Sequence, residues 1–204
     1  MTRIIAGTAG GRRLVVPGGR ATRPTSDRAR EGLFAAVVAM LGTLDGAAVL
    51  DLYAGSGAVG LEALSRGATD VLLVEADPVA AQIIRRNIET IGLPGARLVR
   101  DRVERTLRRG PPADGRPRDL VFADPPYTAG DDELSEVLAA LCGNGWLAKD
   151  AVVIVERDVR SGPPPWTEYY AADRSRRYGE TVLWYGRAAG PGPGCSEQAA
   201  PTGA

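Results

Sequence analysis

Apolar positions along this chain recur in two rhythms, and their alternation predicts alternating strands and helices. Short, nearly continuous apolar runs occupy Val49–Tyr53, Val71–Glu75, Arg97–Val99, Leu120–Ala123 and Val152–Val155, as expected of strands buried on both faces. Between them lie stretches of helical period: Val59 to Arg66, Pro78 to Ile91 with proline in its first turn, a short basic piece from Val103 to Arg108, and Asp131 to Cys142. Gly110 to Arg118 is rich in proline and glycine and reads as a loop. Strand and helix in this order imply an α/β fold, with a mostly parallel sheet covered by helices on both faces and joined by right-handed crossovers.

Both ends depart from that rhythm. Arg3–Ala6 and Arg13–Val16 are β-prone pieces around Gly10-Gly11, which fits a hairpin ahead of the main domain. A helix capped by Ser26 or Asp27 runs to about Met40, with Leu33, Phe34, Val37, Val38 and Leu41 as its apolar face. Near the other end, Thr167–Ala171 and Thr181–Tyr185 are strand-like with no helix between them, so they should pair antiparallel at one side of the sheet. Three segments are therefore expected: a basic hairpin extension over residues 1–22, a catalytic domain over 23–187, and a disordered Gly/Pro/Ala-rich tail over 188–204.

Composition adds mainly exclusions. A chain of 204 residues can bury one substantial core. Histidine is absent, which removes Ser-His-Asp and Cys-His catalysis and histidine-ligated metals. Cys142 and Cys195 are too few and too far apart for a zinc site or a disulfide framework, so no metal is expected and Cys142 reads as a core residue. No run reaches the roughly 18 apolar residues of a membrane span and no apolar leader is seen, so a cytoplasmic protein is expected. The net charge is zero, yet Arg3, Arg12, Arg13, Arg20, Arg23, Arg28 and Arg30 face a single acid, Asp27, in the first thirty residues. Arg174, Arg176 and Arg177 form a second basic cluster.

Two motifs carry chemistry. Gly55-Ser56-Gly57-Ala58-Val59-Gly60 matches G-x-G-x-x-G between a strand and a helix, with Glu75 ending the next strand. This is a nucleotide-type turn whose acid can accept hydrogen bonds from ribose hydroxyls. Asp51, beside the turn, would repel a dinucleotide pyrophosphate and attract the ammonium group of a methionine moiety, a sign that favours S-adenosylmethionine. Asp101, after the third strand, is a candidate acceptor for an adenine amine or a helix cap. In an open α/β sheet Asp51, Glu75, Asp101 and Asp124 should all border one crevice at the strand tips.

The second motif is Asp124-Pro125-Pro126-Tyr127. A nucleobase amine is a poor nucleophile because its lone pair is delocalised. Hydrogen bonds to the Asp124 carboxylate and the Pro125 carbonyl would favour a pyramidal nitrogen, the prolines would keep that carbonyl presented, and Tyr127 could stack on the base. The amine could belong to adenine, cytosine, guanine or an amide.

The order of these motifs resembles the amino-methyltransferases. Arg3-Ile4-Ile5-Ala6-Gly7, Gly11-Arg12-Arg13-Leu14, Arg23-Pro24-Thr25, the group Asp27, Arg28, Arg30 and Glu31, and Asp51-Leu52-Tyr53-Ala54-Gly55-Ser56-Gly57 narrow the likeness to the RsmD-type 16S ribosomal RNA (guanine-N2)-methyltransferases, over residues 3–187. That resemblance implies a Rossmann-like class I S-adenosylmethionine-dependent methyltransferase acting on one guanine N2, in the small subunit or a late precursor; separately, a monomer is expected. It implies Asp51, Tyr53, Gly55, Gly57, Glu75, Asp101 and Thr25 around the cofactor, and RNA held by the basic end, with Arg3, Arg12, Arg13, Arg23 and Arg28 as candidates. Arg100-Asp101-Arg102 departs from the small polar segment often found at that place in such families. The rival readings are a DNA adenine or cytosine amino-methyltransferase, which would need a larger target-recognition segment, and a non-catalytic RNA-binding module of ribosome assembly.

Overall fold

A computed structural model describes residues 2–17, 27–113, 115–126 and 129–189. Arg20, Arg23, Thr25, Ser26, Tyr127 and the tail beyond residue 189 lie outside the described residues.

The apolar runs form the centre of a seven-stranded sheet. Its strands are β3 (Ala48–Leu52), β4 (Asp70–Val74), β5 (Ala96–Val99), β6 (Arg118–Ala123), β7 (Leu147–Asp158), β8 (Tyr170–Tyr178) and β9 (Thr181–Ala188), in the order β5-β4-β3-β6-β7-β9-β8. The five strands from β5 to β7 are parallel, and β9 runs antiparallel between β7 and β8. Because strand side chains alternate, each apolar run feeds two cores. Val49, Leu73, Phe122 and Ile154 pack on one face with α1 (Asp27–Leu41), α2 (Ala58–Ser65) and α3 (Pro78–Ile91). Leu50, Val74, Val121 and Val153 pack on the other with α4 (Val103–Arg108) and α5 (Asp131–Gly143).

The elements follow the expected pattern with three differences. Val38 turns outward at 42% exposure while Met40 is buried, because the contacting face of α1 is centred on Leu33, Phe34 and Val37. The C-terminal hairpin begins at Tyr170, so the run from Thr167 is only its approach, and β9 reaches Ala188. Cys142 is half-buried at the edge of the second core, not within it.

At the N-terminus, β1 (Thr2–Arg3) pairs antiparallel with β2 (Arg13–Leu14). This small hairpin is bolted to the domain through buried polar side chains of α2 and α3. Glu62, fully buried, accepts from the backbone N–H groups of Ile5 at 2.6 Å and Ala6 at 3.0 Å and from Arg66 Nε at 2.8 Å. Asn87, also fully buried, exchanges two hydrogen bonds of 2.9 Å with the backbone of Val15 and donates to the Ser56 carbonyl at 2.8 Å. Each carboxylate and amide atom so used offsets its own desolvation. The hairpin is thus tied, through Asn87, to the glycine-rich turn itself.

Candidate active site

The strand order reverses between β3 and β6, and in open α/β sheets the crevice beyond the carboxyl ends at such a point receives ligands. Asp51 pairs with Phe122 across that junction, and the Asp124 N–H donates to the Leu52 carbonyl at 3.4 Å. Both acids therefore stand at neighbouring strand tips.

The glycine-rich turn is shaped by close approach. Gly57 adopts a φ of 75°, and a Cβ there would stand 2.9 Å from Leu73. A Cβ on Gly60 would come within 3.1 Å of Asp51 Oδ2, which accepts from the Gly60 N–H at 2.8 Å. Gly55 donates its N–H to Glu75 Oε2 at 2.8 Å, and Asp77 donates to Glu75 Oε1 at 2.8 Å. Glu75 thereby links the turn to the end of β4. Tyr53, at the tip of β3, has a φ of 55°, rare for an aromatic residue, and its hydroxyl donates to Glu104 Oε1 at 3.2 Å.

These residues enclose a cavity of about 510 Å³, within the range of small-molecule sites. Asp51, Tyr53, Gly55, Glu75, Asp124, Pro125 and Pro126 all line it. Asp101 does not: its Oδ1 accepts from the Arg102 N–H at 2.9 Å and its Oδ2 from Arg109 at 2.9 Å, which binds it to the start and end of α4. Gly57 shapes the turn without lining the cavity. Sequence reasoning missed Asp77, Arg102, Glu104 and Glu133 on the wall. Asp77 was detectable, because a residue before a helix-opening proline is a capping position, and its carboxylate does accept from Val79 and Ala80. Glu133 comes from α5, a contact that no spacing along the chain announces.

Burial governs the electrostatics. Asp51 is 1% exposed, and desolvation pushes its carboxyl up to about 8, opposed by the Gly60 hydrogen bond and assisted by the negative charge of Glu75. Asp124 is also held well above the usual carboxylate range, by burial first and then by Glu156 and Asp51. Burial, with Glu104 beside it, raises the Tyr53 hydroxyl. Acids kept from ionising by their surroundings, gathered in one cleft, mark a functional site.

The arginines separate into two kinds. Arg12 is spent on the end of α3, donating to the carbonyls of Thr90 and Ile91. Arg13 and Arg28 are exposed, and Arg3 is exposed with Asp27 at 3.9 Å.

Against known proteins, residues 2–187 match the family model described as Conserved hypothetical protein 95. The chain is 39% identical over 180 residues to Ribosomal RNA small subunit methyltransferase D of Escherichia coli (strain K12), covering 88% of this chain and 86% of that protein. Among solved structures it is similar to a putative methyltransferase, yhhF, from Escherichia coli, with 36% identity, a TM-score of 0.78, and coverage of 92% of this chain and 98% of the other. A putative SAM-dependent methyltransferase from Streptococcus mutans, 13% identical with a TM-score of 0.60 and coverage of 82% and 50%, shares the fold alone.

Proposed function

The chain belongs to the RsmD-type family described as Conserved hypothetical protein 95, and from that premise we propose that it methylates the exocyclic N2 of one guanine in 16S RNA of the small ribosomal subunit. At the coarser level the family activity is methylation of ribosomal RNA. The observation that supports methyl transfer to an amine is the acid-walled cavity at the tips of β3, β4 and β6, closed on one side by Asp124-Pro125-Pro126, whereas the choice of guanine N2 rests on the family resemblance.

The residues fit S-adenosylmethionine by their chemistry. Asp51 offers a carboxylate to an ammonium group. Glu75 spends one lone pair on each oxygen to hold backbone N–H groups and keeps others for ribose hydroxyls. When bound, the cofactor supplies a methyl on a sulfonium already activated as leaving group, so the chain's task is alignment. Asp124 and the Pro125 carbonyl accept the two N2 hydrogens and aim the nitrogen lone pair at the methyl carbon. With the cofactor bound, Asp124 would stand where the surplus amine proton is released, as the residue that orients the amine and could receive that proton. Tyr127 follows in the sequence and is the expected stacking partner, an interaction of about 1–3 kcal/mol per base. Arg3, Arg13 and Arg28, together with Arg23 outside the described residues, are the candidates for holding the RNA backbone, on a subunit or late precursor.

The decisive experiment incubates the protein with methyl-labelled S-adenosylmethionine and undermethylated small subunits, naked ribosomal RNA or DNA, then digests to nucleosides. N2-methylguanosine from the subunit or its RNA is expected. Label in adenosine, cytidine or DNA would defeat the reading, and failure to bind S-adenosylmethionine would favour the non-catalytic module.

A further inference from the structure

The second basic cluster of the sequence, Arg174, Arg176 and Arg177, falls on β8, which ends the sheet order and pairs with β9 alone among the described residues. Residues 171–177 are all exposed. Charge on an edge strand keeps other strands from adding to it. Mixed charge would serve that end equally, yet this strand carries three arginines against one acid, Asp173.

The register places these side chains. Arg174 pairs with Tyr185, Tyr185 with Ile154, Ile154 with Phe122 and Phe122 with Asp51, so Arg174 stands in the transverse row of Asp51. Arg176 lies two residues nearer the crevice end of the sheet, on the same face. The strand ends at Tyr178 beside Thr181, which lines a recess together with Asp124, Pro125 and Pro126. From β6 to β8 is three strand spacings, about 14 Å. The two arginines therefore flank the crevice without entering it.

Their face is the one that α1 covers. Tyr178 packs against the core on that side, and a Cβ on Gly32 of α1 would collide with its hydroxyl. Burial, then Tyr178, raises the Tyr185 hydroxyl, and the charges of Arg176 and Arg174 oppose the rise, which sets both guanidinium groups on its side of the sheet. Arg28, exposed, lies one helical turn before Gly32 on the same face of α1, and Arg3 of the hairpin stands 3.9 Å from Asp27 at the start of that helix. Basic side chains thus run in a line from the hairpin, over the first turns of α1, to β8. Arg177 is not part of it. It pairs with Val182 in the row of Arg157, on the opposite face, and donates to the Gly179 carbonyl at 2.7 Å.

A line of arginines beside a base-sized cavity suits a phosphate backbone, because a base drawn into the cavity leaves the phosphates of its neighbours outside. An added protein strand would engage the edge of β8 alone, whereas this line crosses three elements. We propose that Arg174 and Arg176, continuing the line of Arg3 and Arg28, hold phosphates of the ribosomal RNA on the β8 side of the crevice, so that the backbone is held from both the hairpin side and the β8 side while one base enters the cavity. This rests on the reading of the chain as a ribosomal RNA methyltransferase, and not on the choice of guanine.

The test titrates binding to protein-free 16S RNA and to undermethylated small subunits over a range of salt. Each phosphate contact contributes about 0.7–0.9 to the slope of log affinity against log salt. The double variant Arg174→Ala/Arg176→Ala should flatten that slope by about one to two on both substrates, and raise KM for the RNA more than it lowers kcat, with S-adenosylmethionine affinity unchanged. Arg176→Lys should keep the slope, since counterion release counts charge. Arg177→Ala removes the same charge from the same strand on the other face, and should leave the slope nearly unchanged. An unchanged slope in the double variant overturns the proposal, as does an equal flattening by Arg177→Ala, which would mean charge without place. A change confined to the subunits assigns β8 to a ribosomal protein and overturns it too. If the wild-type protein transfers no methyl group to ribosomal RNA, the functional reading itself fails; methylated RNA with an unchanged slope defeats only the role of β8.

Discussion

Glu62 and Asp51 are both buried carboxylates, and their surroundings differ in one respect. Glu62, between α2 and the N-terminal hairpin, accepts from two backbone N–H groups and a guanidinium. Asp51, at the tip of β3, accepts one hydrogen bond among the described residues, from Gly60, and burial outweighs it so that the carboxyl rises to about 8. A buried charge that its own chain satisfies is a fastening. One left under-satisfied beside a cavity is a receptor, because a ligand can supply what the chain withholds.

Substitutions can break that comparison. The largest effect is expected at Asp124: Asp124→Ala should lower single-turnover methyl transfer by about 10²–10³-fold while calorimetry finds cofactor binding retained, and near-normal turnover would remove Asp124 from the reaction. Next, Glu62→Ala should destabilise the fold by about 2–4 kcal/mol, since it leaves two backbone N–H groups and Arg66 without their acceptor. Denaturant melts would measure this, and a loss below about 0.5 kcal/mol would show that Glu62 fastens nothing.

Asp51 should show the receptor character through pH. Its folded pKa of about 8 exceeds the ordinary 3.8, so the native state holds a proton that the unfolded chain has lost. The Asp51 contribution to stability is therefore present below about pH 4 and lost as pH rises toward 8. Cofactor binding should run the other way. An ammonium needs the ionised carboxylate, so affinity for S-adenosylmethionine should rise between about pH 5.5 and 7.5, below the range where an α-amino group itself titrates. Asp51→Asn should flatten that rise, and a flat wild-type profile would detach Asp51 from the ammonium. The smallest effect belongs to the exposed arginines. Arg13→Ala and Arg28→Ala should each reduce the slope of log affinity for RNA against log salt by about one or less, and Arg12→Ala, which removes a helix cap, should leave that slope nearly unchanged.

Much of this was legible in the chain because the relevant signals are local. The α3 boundaries follow from Pro78 at the first turn and Gly92 in the left-handed conformation at its end. The turn Gly55 to Gly60 and the acids Asp51, Glu75 and Asp124 are adjacent to the strands that present them, so a period and a motif locate them. Asp101 shows the limit. It sits at a strand tip like the others, yet Arg105 of α4 and the flanking Arg102 and Arg109 claim it, and a helix turn decides that, not the strand. Val38 shows another: periodicity marked it apolar, and only the angle at which α1 meets the sheet left it outside.

The sequence by itself determined the alternation of elements and the presence of a glycine-rich turn and an Asp-Pro-Pro-Tyr motif, because each depends on residues a few places apart, whereas the strand order that makes the crevice is tertiary. Only the tertiary structure decided which charges are spent and which are offered. Glu62 and Glu156 are both glutamates in apolar surroundings of the sequence, and nothing within a few residues separates them. One meets the backbone of a hairpin some fifty-six residues away, and the other stands across a strand pair from Asp124. Desolvation and hydrogen-bond satisfaction depend on what lies across space, so the same side chain meets different surroundings in the two places.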